Sequence, residues 1–208
     1  MNSNRKFRVG VLGSGKGSNF VAIAEACAAG IIPCEVGLVL SDVAEAGILE
    51  HARQRGLVAE YLPPGKFRTK LDEETEATYV ERLRLAEVDL IVLAGFMRIL
   101  KAGFLNAFPG RIVNIHPALL PAFPGLESWT QALDYGAKVA GCTVHFVDAG
   151  TDTGPIIGQA VVPVLDDDTP ATLHERIQQA ERRLYPAVVG AIAEGRITIN
   201  GRRTAWRK

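Results

Sequence analysis

The segment 7–30, FRVGVLGSGKGSNFVAIAEACAAG, decides how the chain folds. Its first six residues are a nearly unbroken apolar run that stops at Gly13, and from Ser18 the sequence turns Ala-rich until Gly30. An apolar run of that length bounded by glycine reads as a strand buried on both faces. An Ala-rich stretch closed by glycine reads as a helix with its C-terminal stop. The pattern then repeats. Residues 35–42 (EVGLVLSD) read as a second buried strand, 44–56 as a helix, and 57–62 as a short third strand. The 63–70 stretch reads as a loop, and 71–87 as a charged amphipathic helix whose charges form a solvated face. Alternation of this kind predicts an α/β fold: a doubly wound, mostly parallel central sheet of Rossmann-like type.

The 88–96 run VDLIVLAGF is the most hydrophobic strand candidate and is expected at the sheet's centre, running out into Gly95, Phe96, Met97, Arg98, Ile99 and Leu100. Open parallel sheets bind ligands beyond the carboxyl ends of their strands, so this exit is a candidate cleft wall. The segment 111–125, RIVNIHPALLPAFPG, supplies another. In a strand, Asn114 and His116 point to one face and Ile115 to the other. Pro117, Pro121 and Pro124 then stiffen the loop that follows. Beyond it, 128–136 reads as a short helix, 138–148 and 156–165 as strands around the glycine-flanked turn 149–155, and 169–195 as a long helix. Thr169 is placed as its N-cap and Pro170 at its first position, with a kink or break expected near Tyr185 before Pro186.

The chain has 208 residues, enough for one domain with a sizeable core. Lys plus Arg and Asp plus Glu balance at 23 each, so no general electrostatic pull toward nucleic acid or a membrane surface is encoded. Cys27, Cys34 and Cys142 lack metal-ligand spacing, which fits a reducing compartment and predicts no metal site. No apolar run is long enough to span a bilayer, and the opening MNSNRKFRVG lacks a signal peptide's apolar core. A soluble cytoplasmic protein, monomer or homodimer, is the expectation.

Three further features carry chemistry. The loop GSGKGSN at 13–19 joins strand to helix where backbone N–H groups and the helix dipole bind phosphate; the plain alternative is a tight turn with a helix cap. It is not a dinucleotide fingerprint, because Ser18 stands where the third glycine belongs, yet Asp42 occupies the place of a ribose-binding acid and keeps NAD as a rival. Asp152, between Gly150 and Gly154, is either a turn former or a charge partner for His116. On the last helix Leu173, Ile177, Leu184 and Val188 form the apolar stripe. Glu181 falls inside it, with Gln178 and Tyr185 on its flank. A carboxylate so placed needs a partner, either an Arg such as Arg182 or a cationic ligand group. His51, His145 and His174 show no partner in the sequence, and Trp129 and Trp206 read as packing residues.

Taken together, NIHPALLPAFPG, the later DTGP and the opening GSGKGSN resemble the phosphoribosylglycinamide formyltransferases, folate-dependent enzymes of purine synthesis, over nearly the whole chain. The resemblance implies transfer of a formyl group from 10-formyltetrahydrofolate to the amine of glycinamide ribonucleotide without metal. It implies one formyltransferase domain, 1–208, with nucleotide bound in the N-terminal half and folate binding and catalysis in the C-terminal half. Carried over position by position, Gly17, Ser18 and Asn19 hold the substrate phosphate, while Gln178 and Glu181 hold its ribose and glycinamide end. Met97, Arg98, Leu100 and the 147–152 segment, including Val147 and Asp148, line the pterin pocket. Asn114, His116 and Asp152 form the catalytic set. Three positions depart from the pattern: Glu127 and Trp129 stand where many relatives carry histidines, and Ala122 where Lys or Ser is frequent.

Two neighbouring activities compete. A 10-formyltetrahydrofolate deformylase uses water on the same Asn, His and Asp but carries an extra N-terminal domain, whereas strand one here begins at Phe7. A methionyl-tRNA formyltransferase needs a C-terminal RNA-binding domain, and the chain ends at Lys208 with a small basic tail. A non-catalytic nucleotide-binding module would explain the glycine loop and Asp42 but not Asn114, His116 and Asp152.

Overall fold

The structure is a computed structural model that describes residues 5–207; the first four residues of the opening segment, and Lys208, lie outside the described residues. The chain divides into two compact units, 1–113 and 114–208, and the strand β5 runs across the division.

In the first unit the elements are β1 (Phe7–Leu12), α1 (Ser18–Ala28), β2 (Cys34–Ser41), α2 (Gly47–Gln54) and β3 (Ala59–Tyr61). They continue with α3 (Glu73–Leu85), β4 (Leu90–Leu93), α4 (Ala102–Ala107) and the start of β5 (Ile112–His116). The strand order is β3-β2-β1-β4-β5, with β1 paired in parallel to both β2 and β4. All four residues of β4 are buried, and the last four of β1, as strands covered on both faces require. Gly10 belongs in β1 because a Cβ there would lie 2.7 Å from Leu83 Cδ2 of α3. The order reverses between β1 and β4, and the loops leaving those strands touch: Ser14 N–H donates to Gly95 O at 3.0 Å.

In the second unit β5 is followed by α5 (Ser128–Tyr135), β6 (Val139–Phe146), β7 (Ile156–Pro163), α6 (Pro170–Ala193), β8 (Ile197–Asn200) and β9 (Arg203–Trp206). The order β5-β6-β7 completes a seven-stranded sheet that is mostly parallel, β7 being antiparallel to β6. The α/β, doubly wound expectation therefore holds, with the apolar 88–96 run supplying a central strand.

Four local expectations need correction. The helix at 102–107 was not anticipated, because six residues containing Gly103 are too few for a helical period to show. The 169–195 helix does not break: α6 runs continuously through Pro186, whose ring removes one ladder bond while the surrounding Tyr185, Val188 and Val189 stay buried. Within its stripe Tyr185 is fully buried and Leu184 only half-buried. Finally, the basic tail is a hairpin. Asn200 pairs with Arg203 across Gly201 and Arg202, and Gly201 at φ 59° takes the first central position, as a II′ turn demands. Trp206 Nε1–H donates to Ile157 O at 2.8 Å and Thr204 Oγ1–H to Ile156 O at 2.6 Å, which holds the hairpin on β7.

Asp42, at the end of β2, and Arg98 form the most enclosed ion pair of the first unit. Arg98 Nε lies 2.6 Å from Asp42 Oδ2, the aspartate side chain is 1% exposed, and Ser14 Oγ–H donates to Oδ1 at 2.5 Å. Arg98 also donates to the carbonyls of Phe67, at 3.0 Å, and of Arg68. In α6 the N-cap Thr169 forms a capping box with Thr172, and Arg176 grips Asp168 through two bonds of 2.7 and 2.8 Å. That grip holds the Asp168 carboxyl well below the usual carboxylate range.

Two stability measurements follow from these pairs. Arg98→Met leaves a buried carboxylate unpaired and is expected to cost about 3–5 kcal/mol in urea unfolding; a loss within error of zero contradicts the buried-pair reading. Asp168 has a folded pKa below its unfolded one, so its contribution is complete at neutral pH and fades as the pH falls below the carboxylate value of about 4. Asp168→Asn is thus expected to be less stable than wild type at pH 7, with the gap narrowing at pH 3.

Candidate active site

The end of β5 presents Asn114 and His116 to the turn after β6, and Asp152 in that turn is the group on which they converge. His116 Nδ1 lies 3.3 Å from Asp152 Oδ2, and Asn114 Nδ2 lies 3.5 Å from Oδ1. A third side chain joins them. His145 Nε2 stands 3.7 Å from Asp152 Oδ1 and 3.3 Å from Asn114 Nδ2. Gly125 N–H donates to Asp152 Oδ2 at 3.2 Å, so the proline loop also contributes.

Protonation follows from what each atom faces. His145 Nδ1 lies 2.8 Å from Phe146 O, which only accepts, so its proton is at Nδ1 and Nε2 accepts from Asn114 when the ring is neutral. His116 differs, because Nε2 lies 2.9 Å from Phe123 O and Nδ1 faces the Asp152 carboxylate. Both its nitrogens meet acceptors, and two ring protons satisfy both. Burial pushes the Asp152 carboxyl up, but its contact with His145, the charge of His116 and the Gly125 N–H outweigh burial and hold it below the usual carboxylate range. Asp152 is therefore a carboxylate at neutral pH.

The surroundings are stiff. Thr143 Oγ1–H donates to Ala118 O at 2.7 Å and the same oxygen accepts from Leu120 N–H at 3.0 Å; Gln159 Nε2–H donates to Leu120 O at 2.9 Å. Ser128 Oγ–H donates to Pro117 O at 2.7 Å, and the Leu120–Pro121 peptide is cis. Asp152 itself sits at φ 55°, in left-handed territory that costs an ordinary residue energy, and Asp148 braces the turn through Gly150 N–H and the Thr153 hydroxyl. Gly154 makes the turn's return feasible, since a Cβ there would lie 1.8 Å from Phe146 O.

Residues 7–189 match the formyl transferase family over most of the chain. The chain belongs to that family. It is 46% identical to the phosphoribosylglycinamide formyltransferase of Mycobacterium tuberculosis over 200 residues, covering 94% of this chain and 89% of that protein. It is also 44% identical over 202 residues to the trifunctional purine biosynthetic protein adenosine-3 of Drosophila melanogaster; those residues are 96% of this chain but only 15% of that protein. The crystal structure of glycinamide ribonucleotide transformylase 1 from Symbiobacterium toebii matches at a TM-score of 0.94 and 49% identity, covering 99% of this chain and 96% of that one.

The structure brings Asn114, His116 and Asp152 together, and His145 is the neighbour that sequence reasoning missed. Its signal was present: in a strand it shares a face with Thr143, and it stands seven positions before Asp152, within reach of the same turn. Of the other expected site residues, Arg98 has its guanidinium occupied by Asp42 and two carbonyls, and Leu100 is buried, whereas Met97 is 60% exposed. Val147 and Asp148 are half-buried. Asp42, the rival ribose acid, has both oxygens engaged by protein groups, which removes the basis for the NAD alternative. Gly17, at φ 81°, is the N-cap of α1 and makes no side-chain cap bond; the helix's first bond is Val21 N–H to Gly17 O at 2.9 Å. Asn19 is buried and Ser18 half-buried. On α6, Glu181 is buried and Gln178 half-buried; His174 bonds Gln178 and stacks on Trp129. Among the departures, Glu127 is exposed at φ 52° as the N-cap of α5, and Ala122 is exposed. Among the described residues, no group of three or more His, Cys, Asp or Glu side chains is arranged to hold a metal ion, and no helix is long and apolar enough to cross a membrane.

The glycine loop offers a direct test. A Cβ on Gly17 would lie 2.8 Å from Ile48 Cα, and its backbone conformation costs an L-residue about 1–2 kcal/mol. Gly17→Ala is expected to lower the urea midpoint by at least that amount; an unchanged midpoint means that the loop tolerates a different conformation.

Proposed function

We propose that this chain is a cytoplasmic phosphoribosylglycinamide formyltransferase, transferring the formyl group of 10-formyltetrahydrofolate to the amine of glycinamide ribonucleotide in purine biosynthesis. The observation that carries the reading is the convergence of Asn114, His116 and His145 on an ionised Asp152 in a chain of this family.

The residue types suit that reaction. The amine lone pair forms a C–N bond to the formyl carbon as the carbonyl π electrons move to oxygen, giving an oxyanion and an ammonium together. The ammonium loses its proton, the folate nitrogen takes one up, and the old C–N bond breaks; the transfer is neutral in protons. Stabilising the oxyanion calls for N–H donors. Asn114 donates to Asp152 over only 3.5 Å, a weak bond that a charged oxygen displaces, and a doubly protonated His116 offers the second donor by exchanging one of its present acceptors. Asp152 orients His116 through its Nδ1 and relays the amine proton through water. These side chains need no metal for either task.

In the first unit Gly17, Ser18 and Asn19 are assigned to the substrate phosphate at the start of α1. On α6 Gln178 and the buried Glu181 are assigned to the ribose and the glycinamide amine. Met97, Arg98, Leu100, Val147 and Asp148 are assigned to the folate, Arg98 through its backbone because its guanidinium is engaged elsewhere.

The test is to mix the protein with 10-formyltetrahydrofolate and follow folate release with and without glycinamide ribonucleotide. Release that requires the amine supports the proposal, and release without it indicates a deformylase. His116→Ala and Asp152→Asn are each expected to lower turnover by about a hundredfold or more while thermal unfolding stays cooperative; wild-type-like turnover in either variant removes the catalytic assignment.

A further inference from the structure

Trp129 occupies the second position of α5, and its ring lies flat on that of His174: the centroids are 3.6 Å apart and the planes differ by 4°. Both rings are half-buried. Neither belongs to the catalytic cluster, and the stack is more closely aligned than packing alone requires, because aromatic rings at most contacts meet tilted or offset.

Each side of the stack is anchored. Ser128, immediately before Trp129, is fully buried and bonded to Pro117 O, and Gln131 Nε2–H donates to Leu126 O at 2.8 Å, so the start of α5 has little freedom. His174 sits one turn into α6, behind the Thr169–Thr172 capping box and the Asp168–Arg176 pair. One turn further on, Gln178 Nε2 lies 3.2 Å from His174 Nε2. That contact needs one donor and one acceptor. Either the imidazole Nε2 accepts from the amide NH2, or the amide is turned round and accepts the ring proton. In both arrangements one end of the Gln178 amide is tied to His174 and the other is aimed away from it. An untethered glutamine on a helix surface would sample several rotamers, and ordering it on binding carries an entropic cost.

We infer that Trp129 is a positioning residue for the nucleotide substrate: by stacking on His174 it holds the Gln178 amide ready to bond a ribose hydroxyl. The inference rests on the proposed role of Gln178 in ribose binding. It assigns a purpose to a half-buried tryptophan outside the catalytic cluster. It also predicts that the stack acts on nucleotide binding and leaves the formyl transfer step alone.

The experiment is steady-state kinetics of Trp129→Ala, Trp129→Phe and His174→Ala, with Gln178→Ala and the double variant Trp129→Ala/Gln178→Ala. Trp129→Ala and His174→Ala are expected to raise KM for glycinamide ribonucleotide about five- to tenfold, the equivalent of one lost neutral hydrogen bond. Their kcat and KM for 10-formyltetrahydrofolate stay within about twofold of wild type, and Trp129→Phe restores most of the nucleotide affinity. In the Gln178→Ala background Trp129→Ala adds nothing, since its effect runs through the amide. Absence of amine-dependent turnover in wild type overturns the formyltransferase reading and this inference with it. Wild-type turnover with an unmoved nucleotide KM in both Trp129→Ala and His174→Ala overturns the stack's role alone, as does an additive double variant. If Trp129→Ala does not fold, His174→Ala decides the matter by the same measurements.

Discussion

A carboxylate withdrawn from water has to be surrounded by donors, and Asp152, its side chain 12% exposed, meets that requirement with three: Asn114, His116 and the Gly125 N–H. The elements of the second unit are arranged around that need. β5 delivers two of the donors and the proline loop the third, while β6 sets His145 beside them as an acceptor for Asn114. The turn pays with a left-handed residue, which its flanking glycines and Asp148 make tolerable. Pairing of this kind fixes the position of the polar atoms and keeps the carboxylate charged, the two properties that a site for developing charge requires.

Two aspartates illustrate how the same chemistry serves different ends. Asp42 and Asp152 both end up in buried ion pairs at the carboxyl ends of strands. Asp42 meets an arginine, which cannot give up its proton, together with a hydroxyl; the result is a static clamp between the loops after β1, α2's approach and β4. Asp152 meets an imidazole, an amide and a backbone N–H, and its contacts of 3.2–3.5 Å with them are long enough to yield to a ligand. Bond length and partner type together separate the two aspartates.

The helix α6 combines both kinds of duty. Its apolar stripe packs against β6 and β7, and its continuity through Pro186 keeps that stripe whole. The same element carries Gln178 and the buried Glu181, and its N-terminal turn carries His174 against Trp129. Placing these groups on a rigid, capped helix makes their spacing a property of helical geometry, with residues three and four apart sharing a face.

The residues alone settled the α/β architecture, because strands covered on both faces need unbroken apolar runs and the chain alternates such runs with helical ones. They also marked Asn114, His116, Asp152 and Glu181, whose polarity conflicts with their apolar settings. What they could not settle was partnership. Whether Asp42 faced a ribose or an arginine depended on where Arg98, 56 residues away, is brought by the sheet. His145 and His174 looked alike in sequence; one lies beside the Asp152 carboxylate and the other under an indole, a distinction made by strand and helix packing. The hairpin after α6 was hidden by its arginines, although Asn200-Gly201 is a strong turn signal, because short strands declare themselves only through the cross-strand contacts that bury them. Local pattern reports which groups avoid water, and the tertiary fold decides which of them meet.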